Sequence, residues 1–167
     1  VGDAVVELGD RALADQLAKA LERAALLGDR HREQRLALLA ALCDAGHDVS
    51  LETSGALDIA GVDPRVSRIM DLKAPDSGES AQNLWSNLEA LKQGDEIKIV
   101  IASRGDYEWA RQVLRERQIN RLCPVLLSPA GGLIEPQSLA DWILEDGLDV
   151  RFQLQLHKLL WGNMKGK

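Results

Sequence analysis

The sequence predicts an α/β fold built on a parallel sheet, and three observations carry that prediction. Short apolar or alternating runs at Val49–Thr53, Ile97–Ile101 and Pro124–Ser128 have strand character. Segments with helical spacing recur between them. The alternation of strand and helix repeats along the chain, which implies parallel strands with helices packed on them. An open doubly wound sheet and an arc of a barrel both satisfy this pattern, and periodicity does not choose between them.

In order, Asp10 to Leu27 reads as a helix, with Leu13, Leu17, Ala20, Leu21 and Ala24 on one face and Gly28 as its stop. The charged stretch Asp29 to Arg35 reads as a solvated turn and helix start. A second helix runs from about Glu33 to Ala45 on Leu36, Leu39, Ala40 and Cys43, and Gly46 ends it. Val49, Leu51 and Thr53 then alternate with polar residues as a strand. A proline-containing loop and a short apolar piece, Val66 to Leu72, follow, and Ala74 to Gly78 has turn chemistry. Ser80 to Leu91 reads as a helix with Leu84, Leu88 and Leu91 inward. After the strand Ile97–Ile101 comes a helix over Asp106 to Arg117, then the strand Pro124–Ser128 and its Pro-Ala-Gly-Gly turn. Pro136 to Asp146 is a helix with proline in its first turn, and Val150 to Leu156 is the last strand.

At 167 residues the chain is long enough for one domain with a real core. Its charge is 20 − 26 = −6, which argues against a nucleic-acid surface. No run approaches a membrane span, and no secretory signal pattern opens the chain. Cys43 and Cys123 are the only cysteines, so a disulfide framework is not indicated and the reduced cytoplasm is the expected compartment.

Three strand ends collect polar groups: Glu52-Thr53-Ser54-Gly55, Asp71-Leu72-Lys73, and Ser128-Pro129-Ala130-Gly131-Gly132. The final strand adds Gln155, His157 and Lys158. Along one edge of a parallel sheet these groups can converge on a ligand. Each also has a plainer explanation. Glu52 can pair with Lys73, Lys73 can be a surface cation, Thr53 and Ser54 can cap a turn, and Ser128-Pro129 can be a tight turn. The four tryptophans are read as core or rim packing, and His31 and His47 as surface residues. No nucleophile triad, phosphate loop, dinucleotide fingerprint or zinc spacing is legible.

The phrases LCDAGHDVSLETSGALDI, VDPRV, DLKAPDSGE, NLWSN, LADWI and RFQLQLHKLLW cover roughly three-quarters of the chain. From about Leu36 onward the chain closely resembles the 7-carboxy-7-deazaguanine synthases, a radical S-adenosylmethionine family of queuosine biosynthesis. The resemblance implies a partial (β/α) barrel of radical SAM type, N-terminally incomplete. One α/β domain is expected over residues 1–167, with an atypical helical lead over 1–35 and the synthase-like core over 36–167. Implied cofactors are a 4Fe-4S cluster, S-adenosyl-L-methionine and Mg2+. The implied activity is a carbon–nitrogen lyase reaction, the radical ring contraction of 6-carboxy-5,6,7,8-tetrahydropterin to 7-carboxy-7-deazaguanine with loss of ammonia. By the resemblance, Glu52, Ser128, Pro129, Gln155 and His157 contact the substrate, and Thr53, Ser54, Asp71, Leu72 and Lys73 contact S-adenosylmethionine. The implied partners are a small pterin and a second copy of the chain, with no nucleic acid and no membrane.

The departures bear on activity. The family's C-x3-C-x2-C cysteines, its L-Q-G-E-G segment and its T-G-G-E-P motif have no counterpart ahead of Leu36, where the chain reads Gly28-Asp29-Arg30-His31-Arg32-Glu33-Gln34. The expectation is a truncated or frame-shifted member that is inert when made alone. A non-catalytic remnant or a small-ligand-binding α/β module is the alternative. A barrel arc without its first strand should also present an edge, to be covered by the N-terminal helices or by dimerisation.

Overall fold

A computed structural model describes residues 5–7 and 32–154. The helix expected over Asp10 to Leu27, together with Gln155, His157, Lys158 and Trp161, lies outside the described residues. The fold is α/β, as the strand–helix alternation predicts. The chain divides into two compact units, one of Val1–Asp71 with Leu84–Glu96, the other of Leu72–Asn83 with Ile97–Lys167.

In the first unit, strand β1 is Val5–Glu7, helix α1 is Arg32–Asp44, β2 is Ser50–Thr53 and β3 is Ser67–Asp71. β2 and β3 are parallel, with Glu52 opposite Ile69 and Thr53 opposite Met70. Leu39 and Leu42 of α1 are buried, as are Val49, Leu51, Ile59, Val62, Val66 and Met70, and these form the core. β1 pairs antiparallel with the other side of β2, Val5 opposite Glu52 and Glu7 opposite Ser50. Among the described residues, a strand lies on this edge of β2. The sequence signal was slight: two adjacent valines, a residue type favoured in strands.

The second unit holds β4, Glu96–Ile101; α2, Arg104–Arg117; β5, Val125–Pro129; α3, Pro136–Glu145; and β6, Arg151–Phe152. β5 runs parallel to β4 and to β6. Ile97, Ile99 and Ile101 are fully buried, and β5 is buried along its whole length. Helix α2 starts two residues before the sequence expectation because Ser103 caps it, its Oγ accepting from Asp106 N at 3.2 Å. Arg115 and Arg117 sit in its last turn, where cations favour the helix dipole. Tyr107 links α2 to α3: its hydroxyl donates to Asp146 Oδ2 at 2.6 Å and lies 2.7 Å from Trp142 O. Burial first, and the Asp146 carboxylate second, push the Tyr107 phenol well above its ordinary range. The described tryptophans Trp85, Trp109 and Trp142 are all half-buried, which fits rim packing.

The expected helix over Ser80 to Leu91 is the main local difference. The chain there makes short 3-10 turns at Ser80–Gln82 and Trp85–Ala90, after another at Pro75–Ser77. The leucine periodicity misleads. Leu84 is 37% exposed, whereas Asn83 and Asn87 are buried at 8% and 1%. Both asparagines turn inward because their amides bond backbone groups of other segments, which an α-helix with its leucines inward would not present.

Just beyond this segment lies a buried charge cluster. Asp95 accepts from Arg68 N at 2.9 Å and from Lys92 N at 3.0 Å, and the ammonium of Lys92 and guanidinium of Arg68 flank it. Arg68 also donates to the carbonyls of Ala90 and, at 2.8 Å, Val62, and Lys92 Nζ donates to Val66 O at 2.8 Å. The Asp95 side chain is fully buried, so its charge is tolerable only with these partners. Removing it strands a buried arginine. Asp95→Ala is expected to lower the unfolding free energy by about 3–5 kcal/mol, read by urea denaturation, and Asp95→Asn by less.

The turn ahead of β3 adds a pH dependence. Arg65 donates to Asp63 through Nε at 3.0 Å, Nη2 at 2.7 Å and its backbone N at 2.9 Å, and also pairs with Asp44 at 2.8 Å. The Arg65 side chain first, and its backbone N–H second, pull the Asp63 carboxyl from 3.8 to about 2. The folded state therefore binds this proton less readily than the unfolded chain. The stabilisation is present above pH 3.8 and is lost as the pH falls towards about 2. An NMR titration of the Asp63 carboxyl should show this midpoint, and Arg65→Ala should return it towards the ordinary value.

Candidate functional site

The strand-end segment is built by β2 and closed by a glycine. Glu52 and Thr53 end the strand, and Thr53 Oγ1 accepts from Gly55 N at 3.3 Å. Gly55 has φ +73°, and a Cβ there would lie 3.0 Å from the Asp71 carbonyl oxygen and 3.4 Å from Met70 Cγ. Only glycine allows both the backbone angle and this approach. The turn is thus pressed onto the end of β3, which brings Glu52, Thr53, Ser54 and Asp71 into one region of the first unit. All four are half-buried.

The loop that follows is held at several points. Asn87 Nδ2 donates to Gly55 O at 3.2 Å and Leu57 O at 2.8 Å, and its Oδ1 accepts from Ile59 N at 3.2 Å. Asp58 accepts from Ala60 N at 2.9 Å and pairs with Arg32 at the start of α1 at 2.7 Å. Between α1, β2 and this loop lies a pocket of about 80 Å³. Leu36, Leu39, Leu51, Leu57, Ile59 and Val62 give it an apolar floor, and Arg32, Arg35, Glu52, Thr53, Ser54 and Asp58 give it a polar rim. Whole-ligand pockets run to roughly 300–1,000 Å³, so this one has room for part of a small molecule.

In the second unit, Leu72 is buried and its N–H donates to Lys98 O at 2.8 Å. Asn83 takes both backbone groups of Lys73: its Oδ1 accepts from Lys73 N and its Nδ2 donates to Lys73 O, each at 2.9 Å. Buried Asp106 accepts from Asp76 N and Ala102 N, each at 2.9 Å, and so fixes the turn after Lys73 to the start of α2. Ser128 and Pro129 end β5, opposite Val100 and Ile101 of β4. Ser128 is fully buried, and its Oγ has no hydrogen-bond partner among the described residues. The remaining expected contacts, Gln155 and His157, lie outside the described residues.

Sequence reasoning singled out the strand ends but missed the residues that shape them. Nothing in the local sequence around Asn83, Asn87 or Asp106 marks them for this part. Among the described residues, no group of three or more His, Cys, Asp or Glu side chains is placed to hold a metal ion. Cys43 lies in the first unit and Cys123 in the second, and burial pushes the Cys43 thiol above its usual range. Among the described residues no helix is long and apolar enough to cross a membrane.

No family model matches the chain. Among curated proteins it is similar to the 7-carboxy-7-deazaguanine synthase of Chlorobaculum tepidum, 46% identical over 127 residues, covering 74% of this chain and 58% of the relative. The protein of the same name from Koribacter versatilis is 43% identical over 133 residues, covering 72% and 59%. That from Leptospira interrogans is 37% identical over 121 residues, covering 70% and 50%. The chain therefore spans between half and three-fifths of the length of these relatives.

The Gly55 geometry yields a direct test. Gly55→Ala is expected to destabilise the fold by roughly 1–3 kcal/mol, through a strained left-handed residue and the contact with Asp71 O. Thermal denaturation reads the loss. Gly94→Ala, with nothing within 4 Å of its Cβ, is the control expected to change stability little.

Proposed function

We infer that this chain, similar in sequence to the 7-carboxy-7-deazaguanine synthases over about three-quarters of its length, supplies one part of a pterin and S-adenosylmethionine site. The observation that supports this most is the strand-end turn Glu52–Gly55, seated on Asp71 in the manner of an α/β ligand edge. In this reading Glu52 receives N–H groups of the pterin edge. The hydroxyls of Thr53 and Ser54 and the Asp71-Leu72-Lys73 backbone bind S-adenosylmethionine. Lys73 is suited to this because Asn83 holds its backbone in one conformation.

The residues present do not fit a 4Fe-4S cluster. Such clusters are held by three or four thiolates. The sequence has two cysteines, set in separate units, one buried and the other with its thiol favoured over thiolate. The chain's own contribution is therefore binding and orientation. Ring contraction of 6-carboxy-5,6,7,8-tetrahydropterin with loss of ammonia belongs to the whole synthase, and this chain alone carries no radical step.

Two experiments test this. Calorimetry should show saturable binding of S-adenosylmethionine and of the carboxylated pterin, with Glu52→Gln weakening the pterin and leaving the fold intact. Absence of binding for both ligands would refute the site. Anaerobic reconstitution with iron and sulfide should give no stable cluster absorption, and a stable cluster with cofactor cleavage would refute the inert chain.

A further inference from the structure

Asn87 stands out because a 1% exposed side chain commits both amide donors and its oxygen to one short stretch of backbone. Its two amide donors go to the carbonyls of Gly55 and Leu57, and its oxygen accepts from the Ile59 N–H. Residues 55, 57 and 59 are thereby gripped in alternation, as a neighbouring strand would grip them. The stretch is a turn and bend rather than a strand, so no ladder is available to it. The Leu84 N–H adds a fourth bond, to Gly55 O at 3.0 Å. The gripped segment begins one residue after Ser54 and carries Leu57 and Ile59, which line the pocket beside Thr53 and Ser54.

We propose that Asn87 is a positioning residue: it touches no ligand, and by clamping Gly55–Ile59 it sets where Thr53 and Ser54 present their hydroxyls. The proposal rests on the reading that this turn binds S-adenosylmethionine. It adds the means by which the first unit keeps the turn in one shape before ligand arrives. A satisfied core amide with no bearing on the site would lower overall stability when removed and leave the turn's affinity alone. A positioning residue loosens the turn selectively and weakens binding.

The test uses Asn87→Ala and the isosteric Asn87→Asp in the full chain, with amide hydrogen exchange and S-adenosylmethionine calorimetry. In Asn87→Ala the Ile59 amide is expected to exchange about tenfold to a hundredfold faster, with S-adenosylmethionine affinity falling by a similar factor. The Ala130 amide of the second unit, bonded to Ile101 O, should keep its protection. Asn87→Asp retains the acceptor for Ile59 and loses both donors, so Ile59 should stay protected while the Leu84 amide, which reports on the Gly55 end, is released. Unchanged affinity in Asn87→Ala, unchanged Ile59 exchange, or an equal loss of protection at Ala130 would each overturn the proposal. If the wild-type chain binds no S-adenosylmethionine, the functional reading fails, and selective loss of protection over Gly55–Ile59 decides the clamp on its own.

Discussion

Backbone polar groups at the ends of short strands have no ladder partner, and a buried one left unbonded is costly. Four buried side chains meet that constraint here. Asn87 serves Gly55, Leu57 and Ile59; Asn83 serves Lys73; Asp95 serves Arg68 and Lys92; Asp106 serves Asp76 and Ala102. Each is polar, buried and far from the backbone it bonds in sequence or set at a turn. The loops that carry the candidate ligand contacts take their shape from these side chains more than from their own composition. Such loops are pre-organised, which reduces the ordering cost of binding.

The same constraint explains why the stretch from Ser80 to Ala90 is not an α-helix. Its leucines have helical spacing, but two asparagines need to face inward and reach distant carbonyls and amides. Short 3-10 turns permit this, since each bends the chain within a few residues. The charged cluster around Asp95 then fastens the end of that stretch to the start of β3. Polar bonding outweighs the apolar pattern because the buried amides and carboxylate would otherwise be orphaned.

Strand β1 shows a different side of chain pairing. An exposed edge on β2 is a template for any extended segment with free N–H and C=O groups. Residues Val5–Glu7 meet it antiparallel, whereas β3 on the other side of β2 is parallel. A three-residue strand needs little sequence signal to pair in this way, and for that reason the reading of the N-terminal region as helix carried no hint of it.

Several features were legible in the residues themselves. The alternation in Ile97–Ile101 predicts β4, because burial on one face repeats every second residue. Pro136 and Gly46 mark helix ends through local backbone chemistry, and the helices α1, α2 and α3 lie within two residues of their expected bounds. Glu52-Thr53-Ser54-Gly55 and Asp71-Leu72-Lys73 stand out as polar groups at strand ends for the same local reason. Tertiary structure alone decided which polar residues became internal. Nothing local distinguishes Asn87 from a solvated asparagine, or Asp95 and Asp106 from surface carboxylates. Their roles arise from carbonyls and amides contributed by residues up to 32 positions away, and contacts at that separation exist only once the chain has folded.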